Sequence, residues 1–340
     1  MFRKVGKCVL WGGSAFCSYA LFDAYRNREY SSTTRPLDRQ LRVQKAVDDN
    51  DISFPLKTMR YFAVSVINLG KYLVLEKMNT VKLIGKENIL QYMNREKGVG
   101  MITVCNHQSS IDDPFVVSLL FDKIHLNELY KKPWSTCSEE YGFNHSFTSF
   151  ILSTGKVLPV KRGGGINHIS FLDIIQKVNA GQWVHIFPEG KTWQNNAYIV
   201  RDKEGCLQSK SGRKAPPGRL LGPLKWGVGK LVGDSDKTPV VIPFYHMGME
   251  KIYPLDAKNA NTYLIPRTGN TLYVIVGKAI PLRNIVDKYK PLINKETNYQ
   301  KKQELQHIMY KEITDTIDHS LECLEKQCLL EIQKDQHPIY

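Results

Sequence analysis

Apolar positions along this chain fall into short runs separated by polar turns. Val99 to Cys105, Trp183 to Phe187, Pro239 to Phe244 and Thr271 to Val276 are continuous and partly β-branched. Glycine, proline or polar residues bound them, which predicts strands buried on both faces. Gly155 to Gly163 ends a strand with two cations, and Val81 to Gly85 reads as an edge strand. Helical spacing marks Phe115–Leu120, Phe147–Leu152, Ile166–Val178 and Leu224–Val232, and Lys86 to Arg95 suits a short helix. Strands that alternate with helices indicate an α/β fold. From Tyr299 to Ile332, Leu305, Ile308, Met309, Ile313, Ile317, Leu321, Leu324 and Cys328 form one stripe. It predicts a long C-terminal helix packed on the domain, or else on a partner helix.

Other stretches lack this regularity. Residues 1–22 contain no acid, and Arg3, Lys4 and Lys7 precede an apolar stretch from Cys8 to Phe22. That stretch is short for a span of roughly 20 residues. Residues 1–25 read as a targeting or anchoring segment, either secretory or mitochondrial. Residues 26–57 are polar and read as a linker. In 58–78 the only charge between Arg60 and Glu76 is Lys71. Arg60, Asn68 and Lys71 fall within roughly 80° of a helical wheel at about 100° per residue. This is either a core helix or a helix lying in one leaflet, with Phe62, Val66, Leu69 and Leu73 on its lipid side. Residues 122–147 give no clear pattern. Residues 194–222 read as a basic surface insertion, solvated or in contact with anionic lipid. From 201 to 225 there are seven Lys/Arg against two acids.

Composition narrows the function classes. Of 340 residues 42% are hydrophobic and 24% charged, enough for a core without staples. The net charge of +14 favours an anionic partner. No zinc-ligand spacing or RNA-binding aromatic signature is present, so an anionic lipid or phosphorylated substrate is preferred over nucleic acid. The seven cysteines form no C-x-x-C, which argues against a disulfide framework or structural zinc. Gly163-Gly164-Gly165 is not a dinucleotide loop, since His168 stands where a third glycine belongs. Ser153-Thr154-Gly155-Lys156 is not a P-loop, since Phe150 replaces its first glycine.

Candidate chemistry lies just after the 99–105 strand, in Asn106-His107-Gln108-Ser109-Ser110-Ile111-Asp112-Asp113-Pro114. Ser109 or Ser110 can cap the following helix. A strand-to-helix turn is a common place for reactive groups in open α/β sheets. There Asp112 can fold back to His107. A carboxylate on one ring nitrogen fixes the tautomer and frees the other nitrogen to take a proton. That is a base and its orienter without a protein nucleophile, so the nucleophile would be a substrate hydroxyl. The other reading is a loop histidine beside capping acids. Cys105 reads as a buried hydrophobe and His185 as a structural mid-strand residue.

Four blocks taken together resemble the glycerolipid acyltransferase family. They are His107-x-x-x-x-Asp112, Gly155-Lys156-Val157-Leu158-Pro159-Val160-Lys161-Arg162-Gly163, Phe187-Pro188-Glu189-Gly190-Lys191 and the proline-bearing strand 239–244. Leu224-Lys225-Trp226-Gly227-Val228-Gly229-Lys230 resembles the family's phospholipid transacylases. The resemblance covers about 99–283 and does not extend over 1–57. It implies a mixed sheet flanked by helices within an acyltransferase domain at 58–340, with a membrane-interface helix at 58–78 and the helix at 299–332. It implies CoA-independent transfer of acyl chains between phospholipids and lysophospholipids, cardiolipin included. An acyl-CoA-dependent enzyme and a non-catalytic membrane-binding protein are the alternatives. His107 would be the base and Asp112 its orienter. Lys161 and Arg162 would bind a phosphate, and Glu189 and Gly190 would help place the acceptor's glycerol. Glu189 as a turn cap is the other reading. No metal or cofactor is implied, and the expected location is a mitochondrial membrane facing the intermembrane space.

Overall fold

The computed structural model describes residues 54–121, 131–143, 146–192, 200–201, 207–208, 220–254 and 266–336. The expected targeting segment, and the linker as far as residue 53, lie outside the described residues. In chain order, helix α1 spans Phe54–Lys71 and continues into a wider π-helical turn, Tyr72–Lys77. Strands β1 (Thr80–Ile84), β2 (Met101–Val104) and β3 (Ser135–Ser138) follow. Then come α2 (Ser146–Thr154), β4 (Val157–Val160), α3 (Ile169–Asn179) and β5 (Trp183–Ile186). A small antiparallel pair, β6 (Val200–Arg201) and β7 (Leu207–Gln208), precedes α4 (Gly227–Gly233). The chain closes with β8 (Val240–Met247), β9 (Thr271–Val276), α5 (Arg283–Lys295) and α6 (Tyr299–Gln336).

The runs read as buried strands form one mixed sheet in the order β1-β9-β8-β2-β5. β2 lies parallel to both β5 and β8, while β9 runs antiparallel to β8. Beyond β5, Trp134 bridges to Val184 in parallel, and β3 pairs in parallel with β4. Five neighbouring strands, β8, β2, β5, β3 and β4, therefore point the same way. Their C-terminal ends share one edge of the sheet, where open α/β sheets place their ligands.

Pleating sends successive residues to opposite faces. On β2, Ile102 and Val104 join Ile174, Val228, Leu231, Ile313 and Ile317 on one side. Met101 and Cys105 join Val64, Leu75, Val116, Val117 and Leu120 on the other. Helices thus cover both faces. The C-terminal stripe largely holds: Met309, Ile313, Ile317, Leu321, Leu324 and Cys328 are buried against the domain. Ile308 is half exposed, so the stripe is narrower than its spacing suggested.

Helix α1 has the orientation of the second of the two readings given for 58–78, with the row Phe62, Val66, Leu69 and Leu73 outward. Its polar edge turns inward: Arg60 is buried with its guanidinium 5.4 Å from the Trp134 ring. Lys71 pairs with Glu76 at 3.1 Å. Its apolar row faces out, with Phe62 69%, Val66 53%, Leu69 57% and Leu73 46% exposed. Val64, on the other side, is buried. At Gly70 the helix comes so near the loop after β2 that a Cβ there would lie 2.9 Å from the Phe115 ring. Among the described residues, no helix is long and apolar enough to cross a membrane.

Candidate active site

The loop leaving β2 is folded around one carboxylate oxygen. Asp112 Oδ2 accepts the backbone N–H of Gln108 at 2.6 Å and of Ser109 at 2.8 Å. Neither serine caps the following helix; its N-cap is Ile111, with no side-chain bond. Asp112 ties the turn before that helix, and Ser109 Oγ donates to the Tyr253 carbonyl at 3.3 Å. The same Oδ2 lies 3.1 Å from His107 Nδ1. The buried carboxylate thus holds the Nδ1–H tautomer and leaves Nε2 as the basic nitrogen. The imidazole stays partly exposed while its face stacks on Phe187, with centroids 3.9 Å apart and planes 18° apart.

Glu189 arrives from β5. It is buried with both oxygens on backbone groups. Oε1 accepts His107 N–H at 2.8 Å, and Oε2 accepts Gly222 N–H at 2.7 Å. Burial pushes its carboxyl up to about 8, against the pull of these two donors. Gly190 has φ +68°, a conformation that favours glycine, and a Cβ there would lie 2.5 Å from Lys225 Nζ. Lys225 is bonded into the same turn through its N–H to the Pro188 carbonyl, at 2.9 Å.

Lys161 and Arg162 follow β4 and are exposed. They lie on the edge that carries His107, three strands across the sheet. The thiol of Cys137 on β3 is raised by burial and by Asp113, and lowered by Arg162, so Arg162 and Asp113 act on one neighbourhood. The insertion read at 194–222 lies largely outside the described residues. Its last residues, 220–222, are held by buried carboxylates: Leu220 and Leu221 donate to Glu325 at 2.7 and 3.2 Å, and Gly222 to Glu189. Leu221 belongs to the core. Among the described residues, no three His, Cys, Asp or Glu side chains gather as a metal site.

Residues 80–247, from β1 to the end of β8, match the family model described as Acyltransferase. That span contains His107, Asp112, Lys161, Arg162 and Glu189. The chain carries an acyltransferase domain over residues 80–247. It is similar to N-acylphosphatidylethanolamine synthase of Arabidopsis thaliana, 32% identical over 219 residues, 64% of this chain and 66% of that protein. It is also similar to tafazzin of Drosophila melanogaster, 31% identical over 226 residues, 66% of this chain and 52% of that one. Taffazin of Dictyostelium discoideum is 32% identical over 218 residues, 62% of this chain and 66% of its own length. The chain thus spans between about half and two thirds of these relatives.

The acyltransferase domain contains site residues that the sequence did not single out. His246, near the end of β8, is fully buried with Nε2 3.5 Å from Asp112 Oδ2. Asn106 is bonded to the His246 backbone in both directions, at 2.8 and 3.0 Å. A polar residue closing an apolar strand was the available signal for His246. Nothing local marked Gly222. His185 is structural, as read: burial lowers it to about 3, and its Nδ1 meets Thr103 Oγ1 at 2.9 Å. Burial raises the Cys105 thiol well above its usual range, consistent with a core residue beneath the site.

Proposed function

We propose that this acyltransferase moves acyl chains between phospholipids and lysophospholipids without CoA, cardiolipin among them. The His107–Asp112 pair carries the reading: a base, its orienter and no nucleophile of the protein's own. The lysolipid hydroxyl is the nucleophile. His107 Nε2 takes its proton as the oxygen attacks the donor's ester carbonyl. The tetrahedral adduct collapses, the leaving lysolipid oxygen takes the proton back from His107, and the imidazole ends neutral. Asp112 holds the ring and steadies its cation in between. General-base catalysis of this kind is typically worth about 10²–10⁴-fold. Lys161 and Arg162 bind a substrate phosphate, and arginine can grip two oxygens at once. Glu189 positions the His107 backbone, and Gly190 lets the turn close beneath Lys225.

The exposed row Phe62, Val66, Leu69 and Leu73 supports docking on a lipid surface. The names of the two tafazzin relatives support membership of that branch. By the same resemblance its place is a mitochondrial membrane, on the side facing the intermembrane space. The plant relative's name supports a second reading, in which the acceptor is the amine of phosphatidylethanolamine.

The test is acyl exchange in vesicles holding labelled phosphatidylcholine, monolysocardiolipin and phosphatidylethanolamine, with no thioester. Labelled cardiolipin and lysophosphatidylcholine in equal amounts is the expected result. Label in an N-acylated product selects the amine reading. Transfer only after acyl-CoA is added overturns CoA independence.

A further inference from the structure

The peptide bond between Asn106 and His107 is gripped at both ends by side chains from other strands. Its N–H goes to Glu189 Oε1 at 2.8 Å. Its carbonyl, Asn106 O, lies 3.1 Å from His246 Nε2. A carbonyl only accepts, so His246 must carry its proton on Nε2. Burial lowers the pKa of this histidine, so it is neutral near pH 7 and has a single N–H. That N–H also faces Asp112 Oδ2 at 3.5 Å, the oxygen that orients His107. The other nitrogen, Nδ1, is buried with no hydrogen-bond partner among the described residues. A buried imidazole with one idle nitrogen is an expensive way to fill a core. Its working nitrogen points at the catalytic turn.

We infer that His246 is a positioning residue for acyl transfer, holding the Asn106–His107 peptide and sharing Asp112 Oδ2 with His107. The inference rests on the reading of His107 as the base. Two consequences separate it from mere packing. Loss of the His246 N–H frees the His107 backbone to turn, so the rate constant falls while substrate affinity stays. Asp112 Oδ2 also loses a competing donor and serves the imidazolium of His107 better, which raises the pKa of His107. The other ionisable groups acting on His246 are Glu250 and His107, and Asp113, Glu189 and His185 also surround the site.

The experiment compares the full chain as wild type, His246→Phe and His246→Asn. Histidine ring NMR titrations are recorded, with the His107 signal assigned by its loss in His107→Gln. Vesicle acyl exchange is measured on the same preparations. Expected are an upward His107 shift of about half a pH unit or more in His246→Phe and a kcat loss of about tenfold to a hundredfold. The acceptor KM should move less than about threefold, and His246→Asn, which keeps an N–H, should recover part of both. A folded His246→Phe protein with unchanged His107 titration overturns the inference, whatever the exchange assay shows. If His246→Phe does not fold, His246→Asn and His246→Gln carry the titration, and an unchanged His107 titration in both overturns the inference as well. A wild type that titrates normally but transfers no acyl chain refutes the proposed function, and the His246 effect on His107 is then still read from the spectra.

Discussion

The backbone N–H of His107 ends on a carboxylate 82 residues away, where Glu189 Oε1 accepts it at 2.8 Å. The second oxygen of the same carboxylate takes Gly222 N–H. One side chain therefore joins the end of β5, the His107 turn and the end of the 220–222 segment.

Glu189→Gln should break this bracket with almost no change in size. A glutamine offers one oxygen, and its NH2 would then face one of the two N–H donors. An unsatisfied buried donor costs about 1–3 kcal/mol, to be read from denaturant unfolding, and turnover should fall at least tenfold. A pH signature follows. The carboxyl is raised from 4.5 to about 8 in the fold, so the folded state binds this proton more tightly. Its stabilising contribution is full below about 4.5 and is lost as pH rises through about 8. The stability of wild type relative to Glu189→Gln should therefore decline across that window. A flat difference refutes the buried-carboxyl account.

His107→Ala and Asp112→Asn should each cut acyl exchange about 10²–10⁴-fold, with the circular dichroism spectrum unchanged. Asp112→Asn keeps the size of the side chain but loses the charge that steadies the imidazolium. A His107→Ala enzyme that retains more than about a tenth of the wild-type rate would remove His107 from the chemistry.

Arg162→Ala should raise the KM for lysolipid more than it lowers kcat. The loss of a charged hydrogen bond costs about 1.5–3 kcal/mol. Lys161→Ala should act in the same direction but more weakly, since a point charge lacks the fork of a guanidinium. Both residues are exposed, so unfolding temperatures should hold. Unchanged acceptor dependence in both variants would exclude this strand end from the phosphate site.

Val66→Asp with Leu73→Asp should release the protein from vesicles and leave it folded. These positions are 53% and 46% exposed, and surface changes usually stay within about 0.5 kcal/mol. Val64→Asp is the contrasting control, because Val64 is buried in the core and a charge there should unfold the domain. Vesicle flotation beside thermal melting separates the two outcomes. Normal flotation of the double variant would show that this face does not dock.

The parts of the fold that could be read from sequence are those whose cause is local. Strands β2, β5, β8 and β9 are apolar on both faces and announce themselves as continuous runs. β3, Ser-Thr-Cys-Ser, has no such run; its ladder with β4 makes it a strand. α5 was hidden by Pro291 and a polar composition. For α1, periodicity grouped Arg60, Asn68 and Lys71 but could not say which way the group turned. That depended on Trp134, a residue distant in sequence, receiving Arg60. The His107–Asp112 pairing was legible because the two lie five positions apart in one turn. The grips of Glu189 and His246 on that turn cross three strands, and no local pattern encodes them.

Gly70 gives α1 a mechanical role. With no side chain at that position, the helix backbone rests directly against the Phe115 ring, three residues beyond Asp112. Dense interiors are hard to compress and pass displacement on. A tilt of α1 must therefore either open this contact or drag the Asp112 turn with it.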